Sequence, residues 1–165
     1  MQVTCFGFPW EEVRKRPHAQ AVVDEMILTD DIVHYAVPLP EGLWRSDSAS
    51  QHFAVIEELG LLAESTHAAR HPSLPEVRRL LAEGPSIDEL GIAPLTDDCY
   101  YISLSPETVR YLAHSFAALD LERVAADCPL QSDLEAADLT EWLAQWRDAL
   151  RFIAGRNLGL IGHCG

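Results

Sequence analysis

DLTEWLAQWRDALRFIAGRNLGLIGHCG, residues 138–165, combines a long helix with a short strand that both require a core around them. Asp138 and Glu141 fit a capping box that begins the helix, and Gly155 is placed to end it in the left-handed conformation. Residues 158–161 predict a short buried strand, because their apolar side chains do not alternate with polar ones. The apolar positions of the helix recur every three or four residues and predict one buried face: Leu139, Trp142, Leu143, Trp146, Leu150 and Ile153.

A second strand and helix precede this segment. Residues 99–104, CYYISL, have the β-branched and aromatic composition of a strand. Ser105 and Pro106 then predict a helix start, with an N-cap hydroxyl followed by a proline at the first helical position. Asp120 predicts the start of one further helical turn. The first of these helices is expected to bury one apolar stripe: Val109, Leu112, Phe116 and Leu119.

The N-terminal part of the chain predicts a strand and a helix before an irregular segment. Residues 2–8, QVTCFGF, read as a strand that stops at Pro9. A helical turn at residues 10–16 and an amphipathic helix at residues 18–28 follow. Residues 32–47 show neither the helix nor the strand period and predict a long loop, the kind of segment that often carries function.

The middle of the chain predicts short helices. A capping box begins a helix at Ser48, with Gly60 as its stop and an apolar face of Phe53, Ile56 and Leu59. A second helix begins at Ser73 and Glu76 and carries the stripe Val77, Leu80 and Leu81. We therefore expect residues 1–165 to form a single α+β domain, with a small mixed sheet of about three strands covered by several helices.

Composition and charge narrow the function classes. The chain of 165 residues is 48% hydrophobic and 23% charged, as in an ordinary globular protein. No apolar run approaches the roughly 18 residues that cross a membrane, and the N-terminus lacks an export signal, so we expect a cytoplasmic protein. The four cysteines form no CxxC pair and are expected to stay reduced, with Cys5, Cys99 and Cys164 as small buried side chains.

The net charge of −14 argues against binding nucleic acid through its phosphates, because that binding requires clustered cations. The acidic excess is spread along the chain and is not a tail. Two interpretations follow: the charge keeps the protein soluble by self-repulsion, or it forms an acidic face that captures a basic protein partner.

Several local patterns resemble the YfbM-like family of small bacterial proteins, a domain of unknown function. They are the opening strand before a helix, the start Leu104, Ser105, Pro106 and Glu107 after a strand, and the aromatic final helix followed at once by a strand. The resemblance covers residues 1–28 and, more closely, residues 99–162, and is weakest between them. It implies an α+β fold and a bacterial cytoplasmic origin, and it brings no catalytic residues with it.

Two constellations have residue types that carry chemistry. His67 and His71 are four residues apart, a spacing that lets two imidazoles on one helical face share a metal, although a metal site needs three or four ligands and a solvated helix end is the simpler interpretation. His163 and Cys164 follow the last predicted strand, but a nucleophilic thiol needs a base and an electropositive, partly exposed setting. No cofactor is expected.

Tryptophans offer a further candidate. Trp142 and Trp146 lie on the apolar stripe of the final helix and are expected in the core. Trp44 stands instead in the predicted loop, and with Arg45 and Asp47 it is the predicted ligand- or partner-binding site.

No nucleotide-binding, hydrolase or metalloprotease motif is present in the chain. The sequence therefore favours a non-catalytic binding or interaction protein. One concrete version is an immunity or inhibitor protein whose acidic face meets a basic protein partner. The alternative is an enzyme or small-ligand-binding protein with a pocket beside residues 32–47.

Overall fold

The computed structural model describes residues 3–15, 49–83, 89–91 and 100–164. Within this part of the chain, no helix is long and apolar enough to cross a membrane. The predicted helix at residues 18–28 and the predicted loop at residues 32–47 lie outside the described residues. In chain order the elements are β1 (Val3–Phe8), α1 (Trp10–Arg14), α2 (Ala49–Glu64), a 3-10 helix (Ala68–Arg70), α3 (Leu74–Glu83), β2 (Tyr100–Leu104), α4 (Pro106–Ala117), α5 (Leu121–Asp127), α6 (Ala136–Gly155) and β3 (Gly159–Cys164).

The three strands form one sheet in the order β1-β3-β2. Phe8 pairs with Gly159 and Leu104 with Leu160, and both pairings are antiparallel. The α+β class with three strands and several helices is confirmed, whereas the expected mixed sheet is antiparallel throughout the described strands. Whether β2 and β3 run parallel or antiparallel depends on how the three helices between them are arranged in space. Local sequence patterns do not predict that arrangement.

The long helix α6 packs against α4 and α5 and carries the predicted apolar face into the core. Trp142 and Trp146 are 6% and 1% exposed, so their assignment to the core is confirmed. The ring of Phe116 from α4 stacks on Trp146 with 6.5 Å between centroids. The remaining members of the predicted stripe are also buried: Leu139, Leu143, Leu150 and Ile153.

Both ends of α6 differ from the prediction in detail. The helix begins at Ala136 with Glu135 as its N-cap, and the Asp138 carboxylate accepts a hydrogen bond from the Glu135 N–H at 3.4 Å. The predicted box is therefore wrong by one turn, because Asp138 occupies the third helical position instead of the cap. At the other end Asn157, with φ of 55°, adopts the left-handed conformation that was assigned to Gly155.

The start of α4 agrees with its sequence signals. The Ser105 hydroxyl accepts a hydrogen bond from the Thr108 N–H at 3.3 Å, and Pro106 is the first helical residue. The Asp120 carboxylate caps α5 in the same way, accepting from the Arg123 N–H at 3.1 Å. The predicted apolar stripe of α4, which ends at Leu119, is buried.

The helix α2 continues through Gly60, so the predicted stop there is wrong. Leu59 and Leu62 on either side of Gly60 are both fully buried. Burying each leucine contributes about 1.5–3 kcal/mol, more than the roughly 1 kcal/mol that a glycine costs inside a helix. The Arg78 guanidinium of α3 lies beside Gly60, 3.5 Å from the position that a Cβ would occupy.

The buried face of α2 also differs from the prediction, since Phe53 is 52% exposed. The buried face of α2 consists of His52, Val55, Leu59 and Leu62. Because His52 is polar, this face does not show a continuous apolar periodicity in the sequence. Burial lowers the pKa of His52 and outweighs its hydrogen bond with the Leu81 backbone, so the ring is neutral. It packs against Trp142 with 5.3 Å between centroids.

Candidate functional site

A cleft of about 380 Å³ lies between α3 and the N-terminal half of α4. The two helices pack side by side, and the segment at residues 89–91 adds to the wall. We call this the acidic cleft, and its lining residues are Glu76, Arg79, Leu80, Glu89, Glu107, Thr108, Tyr111 and Leu112. Three glutamates and one arginine give the lining a negative charge.

Two of the three glutamates are available to a ligand. Glu76 lies in the first turn of α3 and Glu107 in the first turn of α4. The partial positive charge at a helix N-terminus stabilises a carboxylate at such positions. Neither side chain makes a hydrogen bond or an ion pair with another residue in the described ranges 3–15, 49–83, 89–91 and 100–164. The carboxylates of Glu76 and Glu107 therefore line the cleft without an internal partner in this part of the protein.

The third glutamate, Glu89, is engaged in structure. Its Oε2 accepts a hydrogen bond from the Ser105 N–H at 2.5 Å, and its Oε1 accepts one from the Thr108 hydroxyl at 2.6 Å. Burial raises the pKa of Glu89, but the hydrogen bonds from Thr108 and Ser105 together lower it below the ordinary value. The Glu89 N–H also donates to the Ser103 carbonyl at 3.0 Å. Glu89 thus holds residues 89–91 against the start of α4 and against the end of β2.

Besides the polar side chains of Arg79 and Thr108, the remaining lining of the cleft is apolar, and its exposed member is Tyr111. Leu80 and Leu112 are 1% and 5% exposed, whereas Tyr111 is 54% exposed. A long cationic side chain fits such a surface, because its methylene stem packs on apolar groups while its charged head meets carboxylates. The exposed aromatic ring adds a face to which a cation is attracted.

Sequence reasoning associated Glu76 and Glu107 with helix starts and did not identify the cleft. Tyr111 does not belong to the apolar stripe of α4 that is buried in the core. Its position off that stripe is the one feature of the sequence that indicates an exposed side chain. The proximity of α3, α4 and residues 89–91 arises from tertiary packing, so spacing along the chain contains no signal for it.

A second polar cluster surrounds Asp127 at the end of α5. His71 Nε2 is 3.1 Å from one carboxylate oxygen, while Arg70 Nη1 at 3.1 Å and His67 Nδ1 at 3.2 Å approach the other. The Nε of Arg123 lies 3.9 Å away. Partial burial raises the pKa of Asp127, but the hydrogen bond with His71 and the charges of Arg70 and His67 outweigh this and lower it overall.

The predicted pair His67 and His71 therefore contacts the carboxylate of Asp127. The two residues flank the 3-10 helix Ala68–Arg70 and do not share an α-helical face. In the part of the chain that the structure describes, no group of three or more His, Cys, Asp or Glu side chains could hold a metal ion. The Asp127 cluster joins the 3-10 helix to α5, and His71, with a side chain only 2% exposed, is part of the packed interior.

Cys128 and Glu58 form a buried polar contact between α2 and the end of α5. The Cys128 thiol donates to the Glu58 carbonyl oxygen at 3.3 Å. Burial, reinforced by the Glu58 charge and opposed by a backbone hydrogen bond with Leu130, raises the pKa of Cys128 to about 11. The thiolate is the nucleophilic form of cysteine, so Cys128 is inert near neutral pH.

The Glu58 side chain secures the loop between α5 and α6. It is 1% exposed, and its Oε1 accepts hydrogen bonds from the backbone N–H groups of Gln131 at 2.7 Å and Ser132 at 2.6 Å. Its Oε2 is buried without a hydrogen-bond partner in the described structure. These hydrogen bonds give Glu58 a structural role, because they hold the backbone of the loop in place.

The other predicted site residues stand as follows. Trp44, Arg45 and Asp47 lie outside the described residues, so their role in binding stays a prediction. His163 and Cys164 belong to the central strand β3, which extends beyond the predicted residues 158–161. Their backbones pair with both neighbouring strands, and any chemistry of their side chains stays a prediction.

Comparison of the chain with family models, with curated proteins and with solved structures gives no match. The resemblance to the YfbM-like family therefore stays a prediction from the quoted motifs.

Proposed function

We propose that the chain is a non-catalytic binding protein whose acidic cleft receives a basic segment of a protein partner. The observation that carries this proposal is the cleft itself, about 380 Å³ in volume and lined by three glutamates beside an exposed tyrosine. An immunity or inhibitor protein that covers a basic surface of its partner would act in this way.

The charge of the protein supports the proposal at long range. A net charge of −14 attracts cationic surfaces and raises the rate of encounter, most strongly at low ionic strength. At short range the cationic head of a lysine or arginine would meet Glu76 and Glu107 beside the exposed ring of Tyr111. Glu89 already holds the start of α4 in place, so the cleft needs little reorganisation before binding.

Two of the titratable groups in the described residues support a non-catalytic role because they have a structural explanation. Cys128 is buried with a raised pKa, and Asp127 is held by its surrounding cationic and imidazole groups. The free thiol of Cys128 is also in keeping with a reducing compartment, and we place the protein in the cytoplasm as part of the same proposal. The alternative of an enzyme or ligand-binding protein with a pocket beside residues 32–47 rests on residues outside those described and stays a prediction.

The proposal is tested with a dye-labelled peptide of alternating lysine, arginine, glycine and serine residues, by fluorescence anisotropy at several salt concentrations. The double variant Glu76→Gln/Glu107→Gln should bind the peptide about twofold to thirtyfold more weakly, since each of the two exposed charge pairs contributes about 0.2–1 kcal/mol. Binding to the parent protein should also weaken as salt increases.

The matched control is Glu57→Gln/Glu122→Gln, which removes the same number of charges at exposed positions outside the cleft. It should retain most of the parent affinity. An equal loss of affinity in both double variants would show that net charge alone attracts the peptide, and the absence of binding to the parent protein would refute the proposal.

A further inference from the structure

We infer that the acidic cleft prefers arginine to lysine as the side chain that it receives. This inference rests on the proposed function and refines it, because it names the chemical group that the cleft recognises. Two features of the cleft favour a planar guanidinium over a compact ammonium group.

The first feature is the placement of the available carboxylates. Glu76 belongs to α3 and Glu107 to α4, so the two walls of the cleft each contribute one carboxylate without a partner in the described structure. Both oxygens of Glu89 already accept hydrogen bonds from the start of α4. A guanidinium carries five N–H donors along several edges of a plane and can donate to carboxylates on two sides, whereas an ammonium is a compact point charge.

The second feature is the aromatic ring in the wall. Tyr111 is 54% exposed and follows Glu107 by one helical turn on α4. A guanidinium stacks flat on such a ring while its edges stay free to donate hydrogen bonds. The same chain contains this arrangement elsewhere, since the Arg156 guanidinium carbon lies 3.7 Å from the ring centroid of Phe152. Both features therefore favour arginine, and Tyr111 is the residue expected to determine the preference.

The test compares two peptides of equal length and charge, one with three arginines and one with three lysines separated by glycine, in titrations of the full chain followed by anisotropy. We expect the arginine peptide to bind at least about fivefold more tightly, as cation–π stacking and bidentate contacts together allow. Tyr111→Phe should keep this preference because it keeps the ring. Tyr111→Ala should reduce it to less than about twofold.

The outcomes separate the proposed binding function from the preference for arginine. Equal affinity for both peptides, or tighter binding of the lysine peptide, overturns the arginine preference while the binding function stands. A preference that survives in Tyr111→Ala overturns the assignment of the preference to Tyr111, because the ring would then have no part in it. If neither peptide binds, the proposed function fails, and the arginine preference fails with it.

Discussion

Removing the Glu58 carboxylate should release the loop between α5 and α6 and lower the stability of the whole domain. Its Oε1 accepts hydrogen bonds from the N–H groups of Gln131 and Ser132 in a site that is 1% exposed. Each hydrogen bond to a charged acceptor contributes about 1.5–3 kcal/mol, and an unsatisfied buried N–H costs a similar amount. Part of this gain is offset, because Oε2 is buried without a hydrogen-bond partner in the described structure.

We therefore expect Glu58→Ala to lower the free energy of unfolding by about 2–4 kcal/mol, and Glu58→Gln by about 1–2 kcal/mol, since the amide oxygen still accepts but carries no charge. The measurement is urea denaturation at pH 7, with native-state hydrogen exchange of the Gln131 and Ser132 amides. The exposed neighbour Glu57→Gln is the control and should change the free energy of unfolding by less than about 0.5 kcal/mol. If Glu58→Gln is as stable as the parent protein and both amides stay protected, the carboxylate does not hold the loop.

Three further predictions concern single residues. Because the folded-state pKa of Asp127 is lowered, its charge stabilises the protein above the ordinary aspartate pKa of about 3.9, and this contribution is lost as the pH falls through the lower folded-state value. Denaturation from pH 7 to pH 2 should show the difference in free energy of unfolding between parent and Asp127→Asn shrinking as the pH falls below about 3.9 and through the lower folded-state pKa, and a constant difference would contradict the assignment. In Gly159→Ala the new Cβ would stand 2.6 Å from Trp10 Cε3, so thermal denaturation should show a loss of about 1–3 kcal/mol, and unchanged stability would mean that the contact relaxes freely. Cys128, with its pKa raised to about 11, should react with iodoacetamide at pH 7.5 only when the protein unfolds, and mass spectrometry showing rapid labelling of the folded chain would contradict this.

The elements that local signals specify were predictable from the sequence. The start of α4 agrees because Ser105 and Pro106 act on the backbone next to them, independently of the rest of the fold. The buried stripe of α6 agrees because six apolar residues at helical spacing leave one face to bury. Such signals act between residues that are within one or two helical turns of each other in the sequence.

The disagreements arise where packing between elements outweighs a local preference. Gly60 looks like a helix stop, but α2 continues because Leu59 and Leu62 are buried against the core. Phe53 looks like a core residue, but the buried face of α2 includes His52 instead. A neutral, buried histidine has no signature in an apolar periodicity.

The acidic cleft was not predictable for the same physical reason. Glu76, Glu89 and Glu107 are 31 residues apart from first to last in the chain and meet only because α3 packs against α4. The predicted site at Trp44 depended on the character of one loop, whereas the cleft depends on the relative placement of two helices. The net charge left two interpretations open, solubility by self-repulsion or a basic partner, and the acidic cleft is the surface that we propose for the second.

The most direct test of the binding proposal is to map where a cationic peptide contacts the protein. Backbone amide chemical shifts of the uniformly 15N-labelled full chain would be followed during titration with the arginine peptide. We predict that the largest changes fall in residues 74–83, 89–91 and 105–112, and that Glu76→Gln/Glu107→Gln needs a higher peptide concentration to reach the same changes. Changes spread evenly over the acidic surface, or concentrated on α5 and the exposed face of α6, would contradict the proposal that the acidic cleft receives the basic segment.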